Sequence, residues 1–220
     1  MAADLAYSVR RSTRARRIRV SVDPHAGVEV VLPQRAAARE AASAVAELRP
    51  WIEKRLAEAE RVRERIAARG DTVPFLGADL RLVPEPRRTR AHRKGDALHV
   101  PAAAAAQRDA IERWYRRTAR AEIAPRLDLA AGAIGRPYTA LTIRAQRTRW
   151  GSCSATGAMS FNWRLLLGPE DVLDYVVWHE ACHLAVMDHS PRFWSLLEDH
   201  LPGYREPRRW LRRHGATLVL

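Results

Sequence analysis

The sequence predicts an α+β protein with a small β-rich N-terminal region, a helical middle and a C-terminal domain built around one helix. Three observations carry this prediction. Short β-branched runs fill residues 5–32, charge-patterned helical sequence fills residues 35–69, and an apolar helix with two histidines begins at residues 168–171. A chain of 220 residues can form one large domain or two small ones. We expect a β-rich region with a helical hairpin at 1–104 and the second domain at 105–220.

The N-terminal region is expected to be a small sheet. Its strands are Tyr7–Val9, Ile18–Val22 and Val28–Leu32, with a turn at residues 23–27. Six arginines lie among them. They would contact phosphates in a nucleic-acid-binding protein, but the polar face and loop of a hairpin explain them better. They are Arg10, Arg11, Arg14, Arg16, Arg17 and Arg19.

Residues 35–69 are expected to form two helices, because Pro50 interrupts the pattern just before Trp51. The second helix, 51–68, places acidic residues three or four positions from basic ones. This spacing is typical of a solvated helix and not of a site. Gly70 ends the helix.

Short strands return at residues 73–76, 79–83 and 97–100, and the basic run 87–96 is expected to be a hairpin loop. A long helix follows from Ala105 to Ala131. Its inward-facing side chains are expected to be Ile111, Trp114, Tyr115 and Ile123, with Pro125 as a point of kinking.

The C-terminal domain is expected to alternate strands and turns before its central helix. Strands are expected at 138–143 and 159–167, with a turn-rich segment at 147–154 between them. Gly168–Asp171 starts the central helix, and its acidic residues lie at the helix's positive end. Two short helices are expected afterwards, and the nearby aromatic side chains are expected to pack around the central helix. These are helices 193–200 and 206–214, with Trp178, Phe193, Trp194 and Trp210.

The central helix contains His-Glu-x-x-His. His179 and His183 lie one turn apart on one face, so both imidazoles reach one small cation. Glu180 is rotated about 100° from His179, where it can act on a metal-bound water without being a ligand. A catalytic zinc needs three protein ligands and an open position. His189 is the natural third ligand, and the alternatives are Cys153 and, less favoured, Glu198 or Glu206.

The position of His189 requires a turn soon after His183. Residues 188–191 interrupt the helical pattern, with Ser190 as a good N-cap and Pro191 at the first position of the next helix. The central helix itself carries an apolar stripe, which indicates a buried and rigid support for the site. The stripe consists of Leu173, Val176, Val177 and Leu184.

Several motifs in order resemble one family, the YgjP-like metallopeptidases, also called the DUF45 group and related to the SprT-like and WLM proteases. The resemblance covers residues 147–194. It implies a zincin-like catalytic domain with one zinc ion on His179, His183 and His189, and Glu180 as general base. The matching segments are Arg149–Cys153, Phe161–Leu165, Asp174–Val177, His179–His183 and His189–Trp194.

The spacing of the third histidine also matches the metzincin signature. Two features oppose that assignment: Val186 stands where the metzincin turn needs glycine, and no methionine follows His189. The predicted activity is hydrolysis of a peptide bond by a zinc metallopeptidase. A zinc amidohydrolase acting on a small amide is an alternative. So is a nucleic-acid-associated protein, either a DNA–protein crosslink protease or a DNA-binding module with zinc.

Substrate is expected to bind along one strand, Ser160–Leu166, as an added strand on the edge of a sheet. The residues expected to contact substrate or its developing negative charge are Arg149, Asn162 and Tyr204, with Arg205 and His214 as further candidates.

The composition indicates which kinds of partner and which location to expect. A formal net charge of +13 favours anionic partners, which makes weak nucleic-acid association through a basic surface conceivable beside a protein or peptide substrate. The N-terminus lacks the apolar core of a signal peptide, and no run of 18 apolar residues predicts a membrane span. Two widely spaced cysteines do not make a disulfide framework. We therefore expect a cytoplasmic protein with no membrane association.

Overall fold

The computed structural model describes residues 5–23, 27–146 and 148–220. It has the mixed α+β architecture that the sequence predicts. The chain forms two compact units, Met1–Gly70 and Asp71–Leu220. Most of the turn expected at residues 23–27, and Arg147 in the turn-rich segment, lie outside the described residues.

The first unit is a three-stranded sheet with two helices. The central strand pairs parallel with one neighbour and antiparallel with the other, in the order β1-β3-β2. Alternate side chains of the central strand (Val28, Val30 and Leu32) are buried with side chains of both helices. The elements are β1 (Tyr7–Ser12), β2 (Arg19–Asp23), β3 (Gly27–Pro33), α1 (Arg39–Glu47) and α2 (Arg49–Ala68).

The break between the two helices lies at Leu48, and Pro50 sits in the first turn of α2. The two predicted helices are present, but the break lies at Leu48 and not just before Trp51. Proline is tolerated in the first turn because the N–H groups there have no partner within the helix.

The second unit begins with a four-stranded sheet in the order β4-β5-β7-β6. Strand β6 lies inside the segment predicted as a loop. Its three residues are all exposed and none is β-branched, so it forms only as an edge that pairs with β7. The strands are β4 (Thr72–Phe75), β5 (Ala78–Glu85), β6 (His92–Lys94) and β7 (Ala97–Pro101).

The compact units divide at Gly70, not at the expected boundary between 104 and 105. The reason is a shared core. Side chains of this four-stranded sheet, such as Leu80 and Leu98, are buried in one cluster with Trp114 and Tyr115 of the following helix. The sheet therefore belongs to the same unit as the C-terminal domain.

The long helix α3 (Ala104–Ile134) crosses the second unit. The four side chains predicted to face inward are all buried, and Pro125 lies within the helix as expected. Gly135 ends the helix in the left-handed conformation with φ 72°, which glycine adopts without strain. The guanidinium of Arg126 binds the carboxylate of Asp174 at 2.8 Å and also that of Glu170, so α3 is tied to the helix that contains them.

A three-stranded sheet precedes the central helix. Its strands are β8 (Ala140–Arg144), β9 (Gly151–Cys153) and β10 (Ala158–Asn162), in the order β8-β10-β9. The strand predicted at 159–167 therefore ends early, and Trp163–Leu167 is a short 3₁₀ helix. The side chain of Asn162 accepts a hydrogen bond from the Arg164 N–H and caps this turn, which the sequence pattern did not reveal.

The prediction of an edge strand at Ser160–Leu166 is wrong. Strand β10 pairs parallel with β8 and antiparallel with β9, so both of its edges are already hydrogen-bonded. The free edges of this sheet belong to β8 and β9.

Three helices complete the second unit: α4 (Glu170–Cys182), α5 (Pro191–His200) and α6 (Arg205–His214). Three members of the predicted apolar stripe, Leu173, Val176 and Val177, are buried on α4, whereas Leu184 lies beyond the end of the helix and is half-buried. Helix α5 starts at Pro191 as predicted. Among the residues described, no helix combines the length and apolar character needed to span a membrane.

Candidate metal centre

Helix α4 presents the histidine pair at its C-terminal end. His179 is in the last turn, and His183 follows the final helical residue, Cys182. Their ring centroids lie 5.1 Å apart. Because α4 is buried along most of its length, the two rings are held by a rigid element.

A tight turn after α4 brings in His189. The N–H groups of Ala185 and Val186 both bond to the carbonyl of Cys182, so the chain reverses within a few residues. His189 then lies with its Nε2 3.0 Å from Nε2 of His179. The candidate ligand atoms of His179, His183 and His189 all lie within 4.8 Å of one another.

The three imidazoles fit a zinc ion. Nitrogens bound to a tetrahedral zinc at about 2.0–2.1 Å are separated by about 3.3 Å, close to the spacing of His179 and His189. Nδ1 of His183 lies 3.0 Å from the Val186 carbonyl, the usual arrangement that leaves Nε2 for a metal. Nδ1 of His179 is buried and has no hydrogen-bond partner among the described residues.

Burial favours the neutral form of His179 and His183. Burial, followed by the neighbouring imidazoles of His183 and His189, lowers the pKa of His179 to about 3. Burial also lowers the pKa of His183. A neutral imidazole is the form that binds metal, because protonation would occupy the ligand nitrogen.

Two aromatic residues of α5 hold the histidines in place. Phe193 is fully buried, and its ring centroid lies 4.9, 4.5 and 4.8 Å from those of His179, His183 and His189. The indole Nε1 of Trp194 donates to the backbone carbonyl of His189 at 3.0 Å. Both side chains pack around the central helix, as predicted.

The side chain of Glu180, a residue of α4, packs against strand β9. The residue is only 7% exposed, and burial raises the pKa of its carboxyl to about 7. A backbone hydrogen bond from Cys153 and the positive charge of Arg149 act in the opposite direction. Gly151 leaves the space for this side chain, because a Cβ there would lie 2.5 Å from Glu180 Cγ and 2.7 Å from Oε1.

The alternative third ligands are placed less favourably than His189. Burial, and then the charge of Glu180, raises the pKa of the Cys153 thiol to about 11, whereas a metal binds the thiolate. Glu198 pairs with Arg205 at 3.3 Å, and the carboxylate of Glu206 pairs with a neighbouring arginine of α6 at 2.9 Å. In the described part of the chain, His179, His183 and His189 are the only cluster of three or more His, Cys, Asp or Glu side chains that could hold a metal ion.

Asn162, expected to bind substrate, has a different role in the structure. It is 2% exposed, and its amide NH₂ donates to the backbone carbonyls of Gln146 (2.7 Å) and Arg149 (3.3 Å). Its oxygen is taken by the Arg164 N–H. With these bonds made, Asn162 fixes the turn that carries Arg149 and does not support the expected contact with substrate.

The other two expected substrate residues have different surroundings. Arg149 has an exposed side chain, and its charge acts on Glu180. Tyr204 is 3% exposed, and its ring stacks on Trp194 at 5.6 Å and on Tyr175 at 6.4 Å. Tyr204 therefore supports the aromatic residues beside the centre.

The two further candidates are engaged with their own surroundings. Arg205 pairs with Glu198, and its guanidinium lies 5.3 Å from the ring centroid of Tyr204. The ring of His214 packs against Trp210 with the centroids 4.9 Å apart.

Sequence reasoning missed two residues near the centre, Gly151 and Arg208. The guanidinium of Arg208 lies 4.2 Å from the ring centroid of Trp194. Its charge is one of the causes that lower the pKa of His179. Arg208 is one of several arginines of α6, and their pattern is typical of a solvated helix face. Gly151 had no distinguishing pattern beyond its place in the Arg149–Cys153 motif.

A helix-borne histidine pair with a third histidine from the next turn is typical of metal-dependent hydrolases. A family model described as YgjP-like, metallopeptidase domain, matches residues 16–214, and the chain belongs to this family. It is therefore a metallopeptidase by family, as the sequence resemblance predicted.

The chain is 23% identical to the metallopeptidase zymogen abylysin of Pyrococcus abyssi, whose crystal structure aligns with a TM-score of 0.37 over 41% of this chain and 93% of that chain. No curated protein matches the chain.

Proposed function

We propose that this protein is a zinc-dependent metallopeptidase. In this proposal His179, His183 and His189 hold one zinc ion, and Glu180 is the general base. The convergence of three imidazoles beside a buried carboxyl group is the observation that supports it best. Three nitrogen ligands with an adjacent glutamate suit zinc better than calcium or magnesium, which prefer oxygen ligands.

Bound zinc would supply a Lewis acid that polarises the scissile carbonyl and lowers the pKa of the attacking water. Glu180 accepts the proton of that water and passes it to the leaving amine. Strand β9 holds the carboxylate in position, because the backbone of Cys153 donates a hydrogen bond to it. Family membership implies a protein or peptide substrate.

Strand β9 is the better candidate for binding an extended substrate. Asn162 N donates to Trp150 O at 2.8 Å and Ser154 N to Ala158 O at 3.0 Å, so alternate residues of β9 face β10. The backbone groups of Gly151 and Cys153 then point to the opposite edge, where the Cys153 N–H already donates to Glu180, so an added strand would pair through the other backbone groups. A peptide added to that edge would run beside Glu180.

The test combines metal analysis with casein cleavage for wild type, His189→Ala and Glu180→Gln. We expect one zinc per chain in wild type and Glu180→Gln, much less in His189→Ala, and cleavage by wild type alone. His92→Ala is the matched control, because His92 is an exposed histidine of β6. It should retain both zinc and activity.

Other outcomes would redirect the proposal. Zinc retained by His189→Ala would assign the third ligand elsewhere, with Cys153 examined next. Cleavage by Glu180→Gln at the wild-type rate would refute Glu180 as the general base. Cleavage of small amides but of no protein would favour the amidohydrolase alternative. Neither the family nor the fold supports nucleic-acid association, and we do not propose it.

A further inference from the structure

Arg208 is held beside the metal centre by an aromatic side chain. Its guanidinium carbon lies 4.2 Å from the ring centroid of Trp194, within the range of a cation–π contact. The ring of Trp194 is in turn 6.0 Å from that of His179 and 5.5 Å from that of His189. A positive charge is therefore fixed at the α6 side of the three histidines.

No acidic side chain in the described part of the chain pairs with Arg208. The carboxylates of Glu206 and Glu198 pair with other arginines of α6: Glu206 with Arg209 at 2.9 Å and Glu198 with Arg205 at 3.3 Å. The helical neighbours of Arg208 one turn away are tyrosine, arginine and leucine, so α6 itself supplies no counter-ion.

This arrangement is unusual for a purely solvated arginine. Arg208 is half-buried, whereas Arg209, the next residue, is exposed and ion-paired. Its stem and guanidinium are ordered against Trp194, which lowers the entropy lost when the guanidinium binds an anion. A planar guanidinium with open donors matches a carboxylate in a bidentate pair.

We propose that Arg208 determines substrate specificity by binding the carboxylate of an acidic residue near the scissile bond. This inference rests on the proposed peptidase function and names its substrate class, peptides with Glu or Asp close to the cleaved bond. Arg208 contacts Trp194 and, as a permanently protonated guanidinium, cannot be a metal ligand, so in this proposal its role is to select and orient substrate.

If Arg208 had only a structural role, its substitution would have a different effect on substrate preference. If Arg208 only packs α5 against α6, then Arg208→Gln, which keeps much of the side-chain stem, should leave substrate preference unchanged. The charge-reversing variant Arg208→Glu separates the two roles further, because it should reverse a preference that depends on charge. Arg209→Gln is the matched control on the same helix.

The first measurement uses zinc-loaded protein and short fluorogenic peptides with Glu, Gln or Lys at one position in a randomised neutral background. We expect wild type to cleave the best Glu pool about tenfold faster, in kcat/KM, than the matching Gln pool. Arg208→Gln should abolish this ratio, Arg208→Glu should favour Lys, and Arg209→Gln should resemble wild type. Equal cleavage of Glu and Gln pools by wild type, or an unchanged ratio in Arg208→Gln, would overturn the proposal.

The second measurement does not require turnover. Glu180→Gln protein, with and without Arg208→Gln, is immobilised and the retained peptides are quantified by mass spectrometry. Enrichment of Glu over Gln peptides that disappears with Arg208→Gln supports the role of Arg208, whether or not wild type cleaves any peptide. Absence of cleavage by wild type would count against the peptidase proposal alone. An enrichment that depends on Arg149 and not on Arg208 refutes it.

Discussion

Gly151 shows how one missing side chain shapes the centre. A Cβ at this position would lie 2.5 Å from Glu180 Cγ and 2.9 Å from its Cδ, closer than non-bonded carbons approach. The three nearest atoms that it would meet all belong to the Glu180 side chain, so that side chain is the first group that must move. Gly151 therefore acts through Glu180 as a positioning residue.

We predict that Gly151→Ala retains zinc but loses about a hundredfold in kcat, because a displacement of about 1 Å at a catalytic group has an effect of this size. Zinc content, kcat and KM are measured together. Gly132→Ala is the control, since a Cβ at that exposed helical position meets no atom within 4 Å. A Gly151→Ala variant with wild-type kcat would show that the observed position of Glu180 is not the catalytic one.

At the residue scale, the sequence predicted which side chains meet but not what each of them contacts. The spacing of His179 and His183 on a helix requires no tertiary information, and the turn after them was marked by Ser190 and Pro191. The role of Asn162 was not predictable, because it depends on carbonyls of Gln146 and Arg149 that only the folded turn presents.

At the element scale, helices were easier to predict than strands. The apolar period of α3 and α4 identified their buried faces, since a helix repeats its face every three to four residues. Strand β6 consists of His92-Arg93-Lys94 and exists because β7 is available to pair with it. Strand pairing also made β10 a central strand, which no local pattern in Ser160–Leu166 indicated.

The contact between α3 and α4 yields a prediction about pH. Arg126 binds Asp174 at 2.8 Å and Glu122 at 2.7 Å, and also binds Glu170. Burial nevertheless raises the pKa of Asp174, against the opposing effect of Arg126. The folded state then holds the proton of this carboxyl more tightly than the unfolded state, so the contribution of Asp174 to the free energy of unfolding falls as pH rises through its two pKa values.

We predict that Asp174→Asn removes this part of the pH dependence. In urea unfolding of the metal-free protein, the free energy of unfolding of Asp174→Asn relative to wild type should increase as pH rises from below the ordinary Asp pKa toward neutrality. Asp128→Asn, which alters an exposed carboxylate bonded to Tyr138, serves as the comparison. A difference between wild type and Asp174→Asn that is constant with pH would contradict the assigned cause.

At the scale of the whole molecule, the two compact units have separate cores. The core of residues 1–70 consists of a small cluster around Val30, Leu32 and Ile52. The core of residues 71–220 is much larger and extends from the strands at Val73–Val100 through α3 to the helices of the metal centre. Small cores give marginal stability because little apolar surface is removed from water, so the second unit is the better candidate for independent folding.

We predict that a fragment of residues 71–220 folds cooperatively and binds one zinc ion, whereas a fragment of residues 105–220 does not fold stably. The shorter fragment removes Phe75, Leu80 and Leu98, which are buried with Trp114 and Tyr115 in the full chain, and so exposes that face of α3. Circular dichroism during thermal unfolding, with and without zinc, checks both fragments. Zinc should raise the midpoint of 71–220, because a ligand that binds the folded state stabilises it by mass action. A cooperative, zinc-stabilised transition in 105–220 would instead support a domain boundary between 104 and 105 and would show that the four-stranded sheet is dispensable for the metal centre.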